Sequence, residues 1–246
     1  MLTGRLKDIV NRVDHVGSVS VHTLAEQFGV AVETIRRDLR SLEDAGYLKR
    51  VHGGAESLQD NASVSSFGHR QTENSLAKNA MVARAVELIR PGDVVMIDPS
   101  SSSWFLAQAL PNMDITVITN SIRIVFDLVT KPAINTICVG GRYVEKYSAF
   151  LGATTVGNIL DFQADICFFS CVGFQQDKGA WDSNALNAGV KKAMLRCSSS
   201  NVLLCDSSKF ERGGFTLISP IDHIHCVVSE EAVVGSVRRN LGPSGE

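Results

Sequence analysis

The stretch VETIRRDLRSLEDAGYLKRVHGGA, residues 32–55, carries two adjacent arginines, a third one helical turn later, and a basic segment closed by paired glycines. Wound at about 100° per residue, Ile35, Leu39 and Leu42 fall within about 60° of one another, with Val32 beside them. That face is core. Glu33, Arg36, Arg37 and Arg40 collect on the opposite face. The helix is predicted from Val32 to Ala45 and closed by Gly46. YLKR then reads as a strand and HGGA as a turn and return strand, with Gly53 and Gly54 allowing the tight turn.

Upstream, residues 2–16 place Leu2, Leu6, Ile9, Val10, Val13 and Val16 at helical spacing. Ser20 suits an N-cap for VHTLAEQF, and Gly29 a left-handed C-cap. Three short helices and a two-stranded ribbon are the order of a winged helix-turn-helix. On the second helix of such a unit, an arginine-rich face meets base edges and phosphates in the major groove, and a guanidinium suits both. Arg36, Arg37 and Arg40 are therefore the candidate groove contacts. Thr34 near the helix start is a candidate phosphate contact, as are Lys49, Arg50 and His52 on the ribbon. A merely solvated face is the alternative, since Asp38, Glu43 and Asp44 could hold these arginines in salt bridges.

Net charge does not announce the partner. Residues 1–55 hold eight Lys/Arg against seven Asp/Glu, and the remainder 16 against 19. A DNA argument rests on where the charges lie. With 246 residues, the chain can hold one large domain or a small one and a medium one. No apolar run reaches the roughly 18 residues of a membrane span, and no signal-peptide core is present. The six cysteines sit in apolar runs without a CxxC, which reads as buried reduced thiols of a cytoplasmic protein. Zinc is not expected, and neither is any cofactor.

Residues 57–72 are polar and aperiodic and read as a linker between a DNA-binding domain over 1–56 and a second domain over 73–246. Beyond Glu73 a helical pattern runs to Ile89, stopped by Pro91 and Gly92. The chain then alternates apolar runs of strand length (VVMID, ITVIT, INTICVG, DICFFSCV, NVLLCD, HIHCVVS) with helical stretches. Strands apolar on both faces and separated by helices predict a mostly parallel α/β sheet covered on both sides. In such sheets ligands bind beyond the carboxyl ends of the strands. Candidates there are Asp98, Ser100, Ser101 and Ser102 after VVMID, Asn120 after ITVIT, Gly140 and Gly141 after INTICV, and Asp206 and Lys209 after NVLLC. Lys192, in the helix before NVLLC, joins them. Hydroxyls and helix-start amides at Asp98-Pro-Ser-Ser-Ser-Ser would face an anion.

TIRRDLRSLEDAGYLKRVHGGA resembles the N-terminal motif of the DeoR family of bacterial transcriptional regulators, close to TIRRDLxxLxxxGxLxRxHGGA. Phe67, Arg70 and Lys78, TNS (119–121), GGR (140–142) and DSSKF (206–210) extend the resemblance along the chain. Ala31 stands where the family usually has a serine N-cap, a loss of about 1 kcal/mol of local helix stability. The family's first loop usually reads DSGTT; here Ser100 replaces its glycine. An acidic residue common in the helix before VKKAM is absent from residues 184–189, so either the ligand differs or that pocket wall is neutral. The resemblance implies a second domain similar to ribose-5-phosphate isomerase that senses a phosphorylated sugar or polyol. It further implies a homo-oligomer binding double-stranded operator DNA, as a repressor released by its effector. The alternative is a sugar-phosphate isomerase with an accessory winged helix.

Overall fold

The computed structural model describes residues 4–16, 18–51, 53–57 and 67–237. The chain divides into two compact units, residues 1–69 and 70–246.

In the first unit, α1 (Arg5–Val16), β1 (Ser18–Ser20), α2 (Val21–Phe28), α3 (Val32–Asp44), β2 (Leu48–Val51) and β3 (Gly54–Ser57) follow in order. Ser20 caps α2 by accepting from the Thr23 N–H at 3.1 Å, and Gly29 ends it in the left-handed conformation at φ 63°. Ala31 gives α3 no side-chain cap. Gly46, at φ 72°, turns the chain out of α3 while the Tyr47 N–H reaches the Leu42 carbonyl at 2.9 Å. Ile9, Val13, Leu24, Ile35, Leu39, Leu42, Leu48 and Ala55 form one core. The periodicity of α3 therefore selects the buried face that its sequence predicts. The ribbon departs from expectation by one strand: β1 pairs antiparallel with β3, giving the order β1-β3-β2. Three residues between two helices are too short to show a strand period.

The segment expected as a linker ends in a helix, α4 (Phe67–Thr72); the part over 58–66 lies outside the described residues. There follow α5 (Ser75–Val86), β4 (Val94–Ile97), α6 (Ser101–Ala109), β5 (Ile115–Thr119), α7 (Ile122–Leu128), β6 (Ile134–Cys138), β7 (Arg142–Val144), β8 (Ala149–Leu151) and α8 (Ala153–Ile159). The rest is β9 (Ala164–Ser170), β10 (Gly173–Gln175), β11 (Gly179–Asp182), α9 (Ala185–Arg196), β12 (Ser198–Leu204), β13 (Thr216–Pro220), β14 (Cys226–Val228) and β15 (Val233–Gly235).

Seven strands form the main sheet in the order β15-β14-β12-β9-β4-β5-β6, parallel throughout except for β15. Val95, Ile97, Val117, Ile166, Phe168, Val202 and Leu204 join Met81, Ala85, Leu106 and Ile124 in one cluster. Met96, Phe169 and Leu203, one residue out of phase, are equally buried. A strand buried on both faces cannot alternate polar and apolar residues, hence the continuous apolar runs. Two smaller sheets were not legible beforehand: the hairpin β7–β8, and β10-β11-β13, whose strands are antiparallel. Five cysteines are buried as expected, but Cys138, the last residue of the edge strand β6, is exposed. Among the described residues, no helix is long and apolar enough to cross a membrane.

The two glycines of the HGGA turn do different work. Gly53 takes φ 81° with open space around it, whereas a Cβ on Gly54 would lie 2.3 Å from the Val19 carbonyl oxygen, inside the β1–β3 pairing. Gly53→Ala is expected to cost about 1 kcal/mol through left-handed strain. Gly54→Ala should cost about 3 kcal/mol through overpacking against backbone. Thermal unfolding of the two variants checks the order, and equal losses would contradict it.

Candidate functional site

On the first unit, Arg36, Arg37 and Arg40 are all exposed on α3, with Lys49 and Arg50 exposed on β2. Thr34 sits half-buried in the first turn of α3, and His52 lies outside the described residues. Two of the acids that could have neutralised this face, Asp38 and Glu43, are engaged elsewhere. Asp38 accepts from Arg5 of α1 at 2.7 and 3.3 Å. Glu43 holds Arg50 through its backbone N–H at 2.7 Å and its guanidinium at 3.5 Å. Among the described residues Arg36 meets Glu33 alone of the carboxylates, in an exposed pair at 3.1 Å, an interaction worth under about 1 kcal/mol. Among the described residues no carboxylate pairs with Arg37 or Arg40. Two guanidiniums therefore stand free on the face of a helix whose other side is core, while Arg50 is already tied to Glu43.

On the second unit, the carboxyl ends of β4, β9 and β12 deliver Asp98, Ser170 and Asp206 to one edge of the sheet. Asp98 is fully buried. One of its oxygens accepts from the Ser100 N–H at 3.1 Å, the Ser100 hydroxyl at 2.7 Å and the Ser103 hydroxyl. The other accepts from the Ser170 N–H at 3.1 Å and lies 3.3 Å from the Lys191 ammonium. Lys191 also donates to the Ser170 carbonyl and to Asp182, each at 2.7 Å, and its side chain is 3% exposed. Burial alone would lower the pKa of this lysine, but Asp182 and Asp98 raise it above the ordinary value. It is charged in the folded protein.

Beside this buried group lies a second, more open one. Lys209, its side chain 18% exposed, donates to the Ser170 hydroxyl at 2.9 Å and pairs with Asp206 at 3.2 Å. Asn74, in the left-handed conformation at φ 52°, donates to Asp206 at 3.3 Å and to the Ser208 hydroxyl at 2.9 Å. Burial would raise the Asp206 carboxyl, but Lys209, the Ser208 hydroxyl and Lys78 hold it below the usual carboxylate range. Lys78 is buried and spends its protons on the Arg70 and Glu73 carbonyls. The Arg70 guanidinium lies over the Tyr147 ring at 5.6 Å. Burial lowers its pKa against the attraction of Tyr147, Asp182 and Asp98.

The expected residues are thus only partly brought together. Asp98, Ser100, Ser102, Asp206 and Lys209 share one neighbourhood, with Ser102 3.5 Å from the Ser170 hydroxyl. Ser100 is not a free hydroxyl: it caps α6 through the Ser103 N–H and bonds Asp98. Ser101 is buried at the helix start, and no acceptor among the described residues meets the N–H groups of Ser101 and Ser102. Asn120 is buried and donates to the Phe150 carbonyl at 2.7 Å, leaving its own carbonyl oxygen unpartnered among the described residues. Gly140 has open space, while a Cβ on Gly141 would lie 2.0 Å from the Thr155 hydroxyl, so its need is packing against α8. Lys192 is a correction. It lines a separate cavity of about 610 Å³ with Leu195, Asn201 and His223, because adjacent helical residues diverge by about 100° and Lys191 takes the inward direction. Residues 184–189 hold no carboxylate, but Asp182 just before them accepts from Lys191 at 2.7 Å. Lys191, Ser170 and Asp182 were missed because nothing local in KKAMLR, FFSCV or WDSN separates them from core or turn residues. Among the described residues, no group of three His, Cys, Asp or Glu could hold a metal ion.

Lys78 generates a pH prediction. Burial, then Lys209, brings its pKa from 10.5 down to about 8. The unfolded chain then binds more protons than the folded one between these values, so stability attributable to this group rises with pH across that window. Relative to Lys78→Met, the parent should gain on the order of 3 kcal/mol between pH 8 and 10.5. Denaturant titrations of both proteins at several pH values measure it, and parallel profiles would refute it.

Sequence comparison agrees with this two-part organisation. Residues 5–61 match the DeoR-like helix-turn-helix domain and residues 73–231 the DeoR C terminal sensor domain. The chain is 35% identical to the L-fucose operon activator of Haemophilus influenzae, over 94% of this chain and 93% of that protein. It is 34% identical to the L-fucose operon activator of Escherichia coli, over 96% and 98%. Transcriptional repressor AccR of Agrobacterium fabrum matches at 29% identity over 86% and 83%. Ribose 5-phosphate isomerase A of Methanocaldococcus jannaschii superimposes with a TM-score of 0.43 at 15% identity, covering 56% of this chain and 55% of that one. With both domain models and full-length relatives in agreement, the chain belongs to the DeoR family of DNA-binding transcriptional regulators.

Proposed function

We propose that a phosphorylated sugar or polyol, bound at the edge formed by Asp98, Ser170 and Lys209, controls the affinity of α3 for operator DNA. One observation carries this reading. The partly exposed Lys209 ammonium, an ordered serine hydroxyl and the start of α6 converge on one edge of a parallel sheet, where ligands enter such folds. Phosphate suits that arrangement because it accepts from an ammonium and from helix-start N–H groups together. Asp98, Asp182 and Asp206 are each occupied by ammonium, amide or hydroxyl donors, which favours binding over general-base chemistry at a substrate carbon.

Control follows from linkage. Ligand and operator prefer different states of the protein, and each alters the other's affinity through one coupling free energy. A homo-oligomer supplies paired half-sites, since one helix reads only a short sequence. Whether occupancy represses or activates depends on where the operator lies relative to the promoter. Relatives named activator and relatives named repressor are consistent with one DNA-binding design serving both.

Arg37→Ala should weaken operator binding several-fold or more at matched salt, and Arg40→Ala likewise, with little change in stability because both residues are exposed. Electrophoretic mobility shifts with the adjoining promoter fragment measure this; a double variant binding as tightly as the parent would remove α3 from the interface. Lys209→Ala should raise the dissociation constant for the sugar phosphate roughly ten- to a hundred-fold, the loss of one charge-assisted bond. Operator affinity without ligand should hold. Calorimetric titration of candidate sugar phosphates and their unphosphorylated sugars tests both parts: equal affinity in the variant would exclude Lys209, and equal affinity for the unphosphorylated sugar would exclude the phosphate reading.

A further inference from the structure

Cys171 and Cys205 lie side by side without any role in the packing scheme that requires a thiol. The parallel strands β9 and β12 are paired up to Ser170↔Leu204, and each cysteine is the first residue beyond its strand's end. Adjacent strands run about 4.8 Å apart, inside the window of roughly 4.4–6.8 Å between Cα atoms that a disulfide accepts. Both thiols are free and buried, and the Cys205 thiol donates to the Asp206 carbonyl at 3.8 Å. Their neighbours along the chain are Ser170 and Asp206, the residues that hold Lys209.

We propose that Cys171 and Cys205 form an oxidative modification site, a dithiol that a hydroperoxide converts to an intramolecular disulfide. The two thiols are not equivalent. The neighbouring Cys205 thiol and the ammoniums of Lys209 and Lys191 hold the Cys171 thiol below its ordinary pKa, against burial. The neighbouring Cys171 thiol and burial raise the pKa of Cys205. Cys171 is also the one with residual exposure, at 5% against 0%, so it is the attacking sulfur. Its thiolate attacks one peroxide oxygen, the O–O bond breaks, and hydroxide leaves to become water, giving a sulfenic acid on Cys171. The Cys205 sulfur then attacks the sulfenic sulfur; the S–S bond forms, the S–O bond breaks, and the hydroxyl departs as water with the Cys205 proton. Two thiols and one hydrogen peroxide thus become one disulfide and two waters, two electrons passing from sulfur to oxygen. The cross-link ties together the strand ends that carry Ser170 and Asp206.

The experiment uses the full chain with Cys138→Ser, which removes the exposed thiol and any disulfide between molecules through it. The reduced, folded protein is treated with hydrogen peroxide, denatured with N-ethylmaleimide, and examined by intact mass and peptide mapping. Of the five remaining cysteines, five should be alkylated before treatment and three after it. Cys171 and Cys205 should appear in one disulfide-linked peptide pair, and dithiothreitol should restore all five. In a Cys205→Ser background the reaction should stop at a sulfenic acid on Cys171 that dimedone captures. Unchanged alkylation, oxygen addition at Cys171 with Cys205 still alkylated, or a disulfide mapped to another pair would each overturn the proposal. If Cys205→Ser does not fold, the mapped peptide pair from the first protein decides.

Discussion

A single buried ammonium organises the sensor unit. Lys191 lies between Asp98 at the end of β4 and Asp182 at the end of β11, with the Ser170 carbonyl of β9 as its third acceptor. Two hydrogen bonds and one ion pair join the ammonium to three strand ends, so the main sheet, the small sheet and α9 share one electrostatic fastening. The Coulomb gain does not make such a group stabilising in net terms, because desolvating three charges costs several kcal/mol for each. What it fixes is direction. Any other registration of α9 against the sheet would leave a buried carboxylate unpaired, a penalty of about 3–5 kcal/mol. Asp98 is committed further by the Ser100 and Ser103 hydroxyls, and that commitment sets the entry of the chain into α6.

Around this fixed point the site is graded from closed to open. Lys191 and Lys78 are inaccessible, Arg70 is covered by charge and by the Tyr147 ring, and Lys209 reaches solvent. The serines that invite a phosphate-loop reading have separate tasks: one caps a helix and steadies a carboxylate, while another lies against the Ser170 hydroxyl. Lys209, partly open to solvent, is held by the Ser170 hydroxyl and Asp206.

Much of this was legible in the chain, and the reason is periodicity. The face of α3 that buries Ile35, Leu39 and Leu42 follows from spacing alone, as do the caps at Ser20 and Gly29 and the runs that became the central strands. Spacing could not choose between Lys191 and Lys192, because helix phase relative to the sheet is a tertiary fact. Nor could it find Asp182, which reaches its partner by the fold-back of β11 into α9. The antiparallel sheet β10-β11-β13 has strands of three to five residues, too few for alternation to show. Cys138 was misjudged because an apolar run marks a strand without revealing that the strand lies at the edge.

The missing cap at Ala31 has a further meaning for the DNA-binding unit. Ala31 offers only its backbone carbonyl, which receives the Thr34 and Ile35 N–H groups. The N–H groups of Val32 and Glu33 find no side-chain acceptor among the described residues. A serine there would occupy an amide in the free protein and compete with any incoming anion. With alanine, these two N–H groups stay open to solvent or to an anion. Because α3 is already helical from Val32, an anion reaching its first turn would meet amides whose direction is fixed and whose dipole favours negative charge.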